Sequence, residues 1–212
     1  MIIAKWKISR FYEPKWIDSL RLFKDNPSTL GFQVEKICLA CIADIGLNYN
    51  GKHMGSKVPT WFRGNKLDDL LNAVPSPDPS GLYLPLNSQF EDLDGLALEY
   101  DKKTKTLHII PIQVTIGKKH KDSEALFYNK WKKWESRFPG IKLYSTFIWI
   151  VEVTKSATTI KGEVRDTRTT KQAKSQDHVQ VYLSAEDVHK PLGEALNFIR
   201  DLQKQEQVSM RP

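Results

Sequence analysis

The sequence predicts an α/β chain, a mixed sheet with helices packed on it, from three observations. Residues 29–46 carry Leu30, Val34, Ile37, Cys41 and Ile45 at helical spacing. From residue 81 the apolar period shortens to that of strands, and three candidate strands follow one another around a polar hairpin loop at 101–106. The pattern then returns to helix, strand, strand and helix. A layered sheet with helices on it is the economical way to bury such elements.

Each element has a local reason. Pro14 can open a first helix carrying Trp16, Leu20 and Phe23, which Asn26-Pro27-Ser28 interrupts. The stronger helix of 29–46 ends at the stop signals Gly46 and Asn48. Residues 48–80, rich in Gly, Pro, Asn and Lys, read as a long connection with one short helix at 67–74. Strands are expected at 82–84, 93–100 and 107–116. The last is apolar at nearly every position, as for burial on both faces, and Pro111 implies a bulge or a missing ladder bond. A helix of 122–138 has Phe127, Trp131, Trp134 and Phe138 on one face and stops at Pro139-Gly140. A strand at 144–153 alternates through Phe147, Trp149 and Val151; Trp131, Trp134 and Trp149 are therefore read as core. Residues 155–177 are a polar, basic loop, 178–183 a further strand, 191–202 the closing helix, and the tail from Lys204 is expected to fray.

Composition narrows the function. The chain has 212 residues, 40% hydrophobic, which places it at one domain with a sizeable core. It carries 32 Lys+Arg against 25 Asp+Glu, a net charge of +7, and that surface can attract phosphates. Two cysteines, Cys38 and Cys41, exclude a disulfide scaffold and a four-cysteine zinc site. Their C-x-x-C spacing suggests redox chemistry. It lies inside the apolar helix rather than at a helix start, so both are read as small buried hydrophobes. Neither a signal peptide nor a membrane-spanning run is evident, and an intracellular protein is expected.

Candidate chemistry converges on the second and third strands. If Tyr100 faces Leu107 across the hairpin, the same register sets Asp94 opposite Gln113. Cross-strand partners are about 4.5–5.5 Å apart, close enough to share an ion. Alternation puts Thr115 on the face of Gln113. A carboxylate, an amide and a hydroxyl at the end of a buried sheet suit Mg²⁺, which binds through one or two carboxylates and keeps several waters. The run Gly117-Lys118-Lys119-His120-Lys121 follows at once and brings cations beside the carboxylate.

Three segments together carry a resemblance: Gly31-Phe-Gln-Val-Glu35, Phe90-Glu-Asp-Leu-Asp94, and Ile112-Gln-Val-Thr115 with His120 soon after. They resemble the PD-(D/E)XK nuclease superfamily, in the divergent branch of Crinkler effector C-terminal domains and retrotransposon hot spot proteins. The resemblance implies a restriction-endonuclease-like core in the order α-β-β-β-α-β over residues 28–152. The basic loop 155–177 and the strand–helix 178–204 would complete one domain of 1–212. It also implies metal-assisted hydrolysis of DNA phosphodiester bonds. Glu35 would hold the metal or its water, Asp94 would be the principal ligand, and Gln113 and the Val114 carbonyl would complete the set. Thr115 stands where the superfamily has a lysine, and Lys118, Lys119 or His120 would serve in that lysine's place. An effector of this branch would act in a host nucleus.

DNA contacts are expected from Lys118, Lys121, Lys130 and Lys133, and from Trp61 and Arg63 in Pro59-Thr-Trp-Phe-Arg-Gly. The 155–177 stretch adds six Lys/Arg against three Asp/Glu. Gln113 and Thr115, where an acid and a lysine are usual, leave two readings open. One is an active nuclease; the other is a nuclease-like module that binds DNA or a protein without cleaving.

Overall fold

The computed structural model describes residues 18–86, 90, 93–115, 123–151 and 178–209. The helix predicted from Pro14 falls largely outside them; its described end is a single 3-10 turn, Leu20–Phe23. Helix α1 (Pro27–Ile45) begins two residues earlier than its apolar stripe suggests. Asn26 is its cap rather than a break: the Asn26 side chain accepts from the Thr29 N–H at 3.1 Å, and Pro27 occupies the first turn, where no N–H is needed. Leu30, Val34, Ile37 and Cys41 are buried as expected, whereas Ile45, on the last turn, is exposed. Gly46 ends the helix at φ +82°, and a Cβ there would collide with the Met54 carbonyl oxygen.

The stretch expected to be mostly loop holds three short strands. β1 (Leu47–Tyr49) and β2 (Lys52–Met54) form a small antiparallel hairpin. β3 (Pro59–Phe62) is an edge of the main sheet, and α2 (Leu67–Ala73) carries the chain back to β4 (Gly81–Pro85), parallel to β3. β5 (Gly95–Asp101) and β6 (Thr106–Thr115) continue the meander. Their ladder pairs Tyr100 with Leu107 and Gly95 with Ile112, the register that the hairpin predicts.

Pro111 lies within β6. Pairing to the next strand skips Ile110 and Pro111 and resumes at Ile112 without a change of register, so the proline removes a ladder contact and makes no bulge. The helix expected over 122–138 is two helices, α3 (Ser123–Asn129) and α4 (Trp131–Arg137), broken at Lys130, whose backbone (φ −99°, ψ 10°) leaves the helical region. They cross over to β7 (Lys142–Val151), parallel to β6, and β8 (His178–Ser184) pairs parallel to β7. One turn, α5 (Ala185–Val188), precedes α6 (Lys190–Ser209). The tail expected to fray from Lys204 is therefore helical to Ser209. It is tied back to the 3-10 segment by Lys24–Glu206 at 2.5 Å and by the Gln203 amide on the Lys24 carbonyl.

The six strands lie in the order β3-β4-β5-β6-β7-β8. Alternation divides the core into two layers. Leu84, Ile112, Ile148 and Val181 pack with α1, α5 and α6 on one face. Leu96, Ile109, Phe147 and Trp149 pack with α2, α3 and α4 on the other. Trp131, Trp134 and Trp149 are buried in this second layer, as their spacing implies. Among the described residues no helix is long and apolar enough to cross a membrane.

Candidate functional site

The site forms where β5 starts and β6 ends. The ladder stops at Gly95↔Ile112, and Asp94 finishes it with different bonds. Its N–H donates to the Ile112 carbonyl at 3.0 Å. Its Oδ2 accepts from the Val114 N–H at 2.7 Å and from the Gln113 Nε2 at 2.6 Å. Among the described residues no donor reaches Oδ1. Asp94 and Gln113 thus meet as the hairpin register predicts. It is the amide nitrogen, rather than the oxygen expected to face a cation, that reaches the carboxylate. Gln113 is buried, and this bond satisfies a polar group that would otherwise cost about 1–3 kcal/mol.

Helix α1 closes the site from one face. A Cβ on Gly95 would lie 2.9 Å from Leu39 Cδ2 and 3.1 Å from Leu84 Cδ2, so glycine lets the helix seat directly over the start of β5. Glu35 precedes Leu39 by one helical turn and so shares its face. Burial first, and then the negative charge of Glu35, push the Asp94 carboxyl well above the ordinary carboxylate range, up to about 8. The Val114 amide, Lys36 and Gln113 oppose that rise. Cys38, fully buried on the same helix, has its thiol pushed up by burial, then by Cys41, Asp94 and Glu35. An inert structural thiol results, as expected for this C-x-x-C.

Lys36 is the site residue that sequence reasoning missed. Its Nζ lies 3.0 Å from Glu35 Oε1 and 5.1 Å from the centre of the Phe32 ring, and its charge favours the ionised Asp94. A lysine beside a glutamate on an amphipathic helix looks like an ordinary solvated pair. Only the packing of α1 on Gly95 turns it toward the sheet.

The remaining candidates divide. Thr115 is half-buried and level with Val151 and Ser184 at the same end of the sheet. Lys118, Lys119, His120 and Lys121 lie outside the described residues. Lys130 sits at the break between α3 and α4. Lys133 is not a free cation: its Nζ lies 2.7 and 2.8 Å from the two Asp68 carboxylate oxygens. It lines a cleft of about 460 Å³ between α2 and α4 with Asp68, Leu71, Asn72, Lys132, Ser136 and Arg137. Trp61 and Arg63 are exposed on and just beyond β3.

Across the second layer, a buried carboxylate braces the site. Glu124 of α3 accepts from Trp149 Nε1 at 3.2 Å and Gln180 Nε2 at 2.5 Å, and meets His178 Nε2 at 2.7 Å. Trp149 is the β7 register partner of Gln113, so this cluster holds the strand against which Gln113 lies.

The site can supply two carboxylates, the Asp94 Oδ1 that no described donor occupies, and the Gln113 and Val114 oxygens. Among the described residues, no group of three His, Cys, Asp or Glu side chains converges as a metal cluster would. A carboxyl pushed up by burial and by the negative charge of a second one is relieved by a divalent cation. Oxygen donors of this kind, completed by water, are those that Mg²⁺ takes. Against known proteins, the chain matches no family model, no curated protein and no solved structure.

Proposed function

We propose that the fold is restriction-endonuclease-like and that the chain is a Mg²⁺-dependent nuclease-fold protein that binds DNA and hydrolyses its phosphodiester bonds. The observation that carries the reading is the meeting of Asp94, Gln113 and Val114 at the end of a meander, with Glu35 of the preceding helix over them. Asp94 and Glu35 would hold the ion, helped by the Gln113 and Val114 oxygens. Bound Mg²⁺ lowers the pKa of a water and stabilises charge on the phosphate. Lys36 supplies the ammonium group that Thr115 cannot, beside the same carboxylates. Its test is cleavage of a supercoiled plasmid in Mg²⁺, with EDTA as the control. Wild-type protein nicks the plasmid, and Asp94→Ala reduces nicking to background. Cleavage that survives this substitution or EDTA rejects the assigned site.

A second reading rests on the Gln113 amide. Its nitrogen already satisfies Asp94, so the pair is stable without a cation. A module that has lost catalysis would bind DNA without metal, with affinity falling steeply as salt rises. Salt-sensitive binding in EDTA with no cleavage in Mg²⁺ favours this reading over the first.

A further inference from the structure

Trp61 is the outer end of a row of residues that leads to the site. The register sets Trp61 beside Leu84, and Gly95 beside Ile112, Ile148 and Val181. The antiparallel β4–β5 ladder brings Leu84 level with Gly95, where the two are in near contact. Leu84, Ile112, Ile148 and Val181 all belong to the layer under α1. Phe62, the next residue, is buried in the opposite layer, so alternation puts the Trp61 indole on the α1 face. Two strand spacings, about 10 Å, separate β3 from β5. The indole therefore stands on the face that carries Glu35 and Lys36, about 10 Å along the sheet from the residue that follows Asp94.

The indole is 48% exposed on an edge strand and, among the described residues, has no hydrogen bond or ring contact. The chain on either side of it is basic: residues 57–66 contain Lys57, Arg63 and Lys66 and no carboxylate, and the Asp69 carboxylate packs against Gly64 and accepts from the Lys66 N–H. Among the described residues none of those three cations is in an ion pair. Leu86, which follows β4 and donates its N–H to the Phe62 carbonyl, adds an exposed apolar surface beside it. A flat aromatic face flanked by unpaired cations matches the two halves of a nucleotide, base on indole and phosphate on guanidinium or ammonium.

We infer that Trp61, with Arg63, is a stacking platform for an unpaired base. The site's preferred substrate is then single-stranded nucleic acid, or the unpaired part of a duplex. This rests on the nucleic-acid reading above and names its substrate class. Bases within a duplex stack on each other and offer no free face to Trp61, whereas an unpaired strand does. The distance of about 10 Å corresponds to about three stacked nucleotides at 3.4 Å each, so a strand seated on Trp61 reaches the start of β5, on the face that α1 covers, a few nucleotides on.

The test is fluorescence anisotropy in EDTA with a labelled oligothymidylate, its duplex with oligodeoxyadenylate, and a labelled oligouridylate. Wild-type protein binds the single strands more tightly than the duplex. Trp61→Ala weakens single-strand binding by about 5- to 150-fold, the range for losing one base stack, and leaves duplex binding within about twofold. Trp61→Phe keeps most of the affinity. The salt dependence is unchanged in Trp61→Ala, because stacking releases no counterions, and becomes shallower in Arg63→Ala. The DNA and RNA single strands show which sugar is preferred. Single-strand affinity unmoved by Trp61→Ala, or equal losses on strand and duplex, overturns the platform. Because the assay contains no Mg²⁺, failed plasmid cleavage rejects catalysis and leaves this result standing. Loss of the Trp61 effect rejects the platform and leaves the Asp94 site to the cleavage assay.

Discussion

Replacing Asp94 by Asn stabilises the fold at alkaline pH and leaves it nearly unchanged in acid. Burial, then Glu35, push the Asp94 carboxyl up to about 8, against roughly 3.9 in an unfolded chain. Between those values the native state holds a proton that the unfolded state has released. Stability therefore falls as pH rises through that window and is fully present only below it. Roughly four pKa units at ~1.36 kcal/mol each set a ceiling of about 5–6 kcal/mol. Relaxation of the native state around an ionised Asp94 lowers that ceiling, and the expected gain is about 2–3 kcal/mol. Asparagine keeps an oxygen for the Val114 N–H and the Gln113 amide, so both bonds survive. For a chain of this length that gain raises Tm by about 5–10 °C near pH 9 and by almost nothing near pH 4. Thermal unfolding followed by circular dichroism across that range, in EDTA, measures it. A gain independent of pH, or a loss at alkaline pH, would refute the argument, because Asp94 would then be ionised in the native state.

Two further outcomes follow from the same packing. Gly95→Ala forces a methyl to 2.9 Å from Leu39 and 3.1 Å from Leu84 and costs about 1–3 kcal/mol in urea unfolding. Gly31→Ala, in the middle of α1 with nothing within 4 Å of its Cβ position, gains about 0.5–1 kcal/mol. Equal effects at the two glycines would contradict the close seating of α1 on β5. His108 has its imidazole pushed down to about 4 by burial and then by Lys52, against roughly 6.5 unfolded. Here the unfolded state binds the extra proton, so this contribution is complete above about pH 6.5 and is lost as pH falls toward 4. His108→Gln flattens the acid limb of the stability curve, and the His108 ring resonances in NMR titrate below pH 5.

Lys36 bears on how the site is wired. On the nuclease reading proposed above, Gln113 and Thr115 would stand in β6 where an acid and a lysine are expected. On the opposite wall, α1 brings Glu35 and Lys36 to Asp94, one carboxylate and one ammonium. Glu124 is the corresponding brace on the far side of the sheet, with its three partners drawn from β7 and β8.

What was legible in the sequence was local. The helix of Pro27–Ile45 shows because its apolar residues recur every three or four positions; of its predicted stripe all but Ile45 are buried, and Leu39, Ile42 and Ala43 are buried beside them. The pairing of Asp94 with Gln113 shows because a short polar loop sets a hairpin's register and alternation carries it to the strand ends. The strands β1, β2 and β3 do not show: three or four residues are too few to display a period and are held by pairing to neighbours. The break at Lys130 has no glycine or proline to announce it.

By itself, then, the sequence determined the alternating elements, the hairpin register and the identity of the groups at its end. Tertiary packing alone decided which distant groups join them: Glu35 and Lys36 from α1, and Trp61 on the edge of the same face. It also pushed the Asp94 carboxyl above the ordinary carboxylate range, by burial first and then by Glu35. The physical reason is range. Periodicity and turn chemistry act over a few residues along the chain, whereas burial and Coulomb interaction act between residues that meet only once the helix has packed on the sheet.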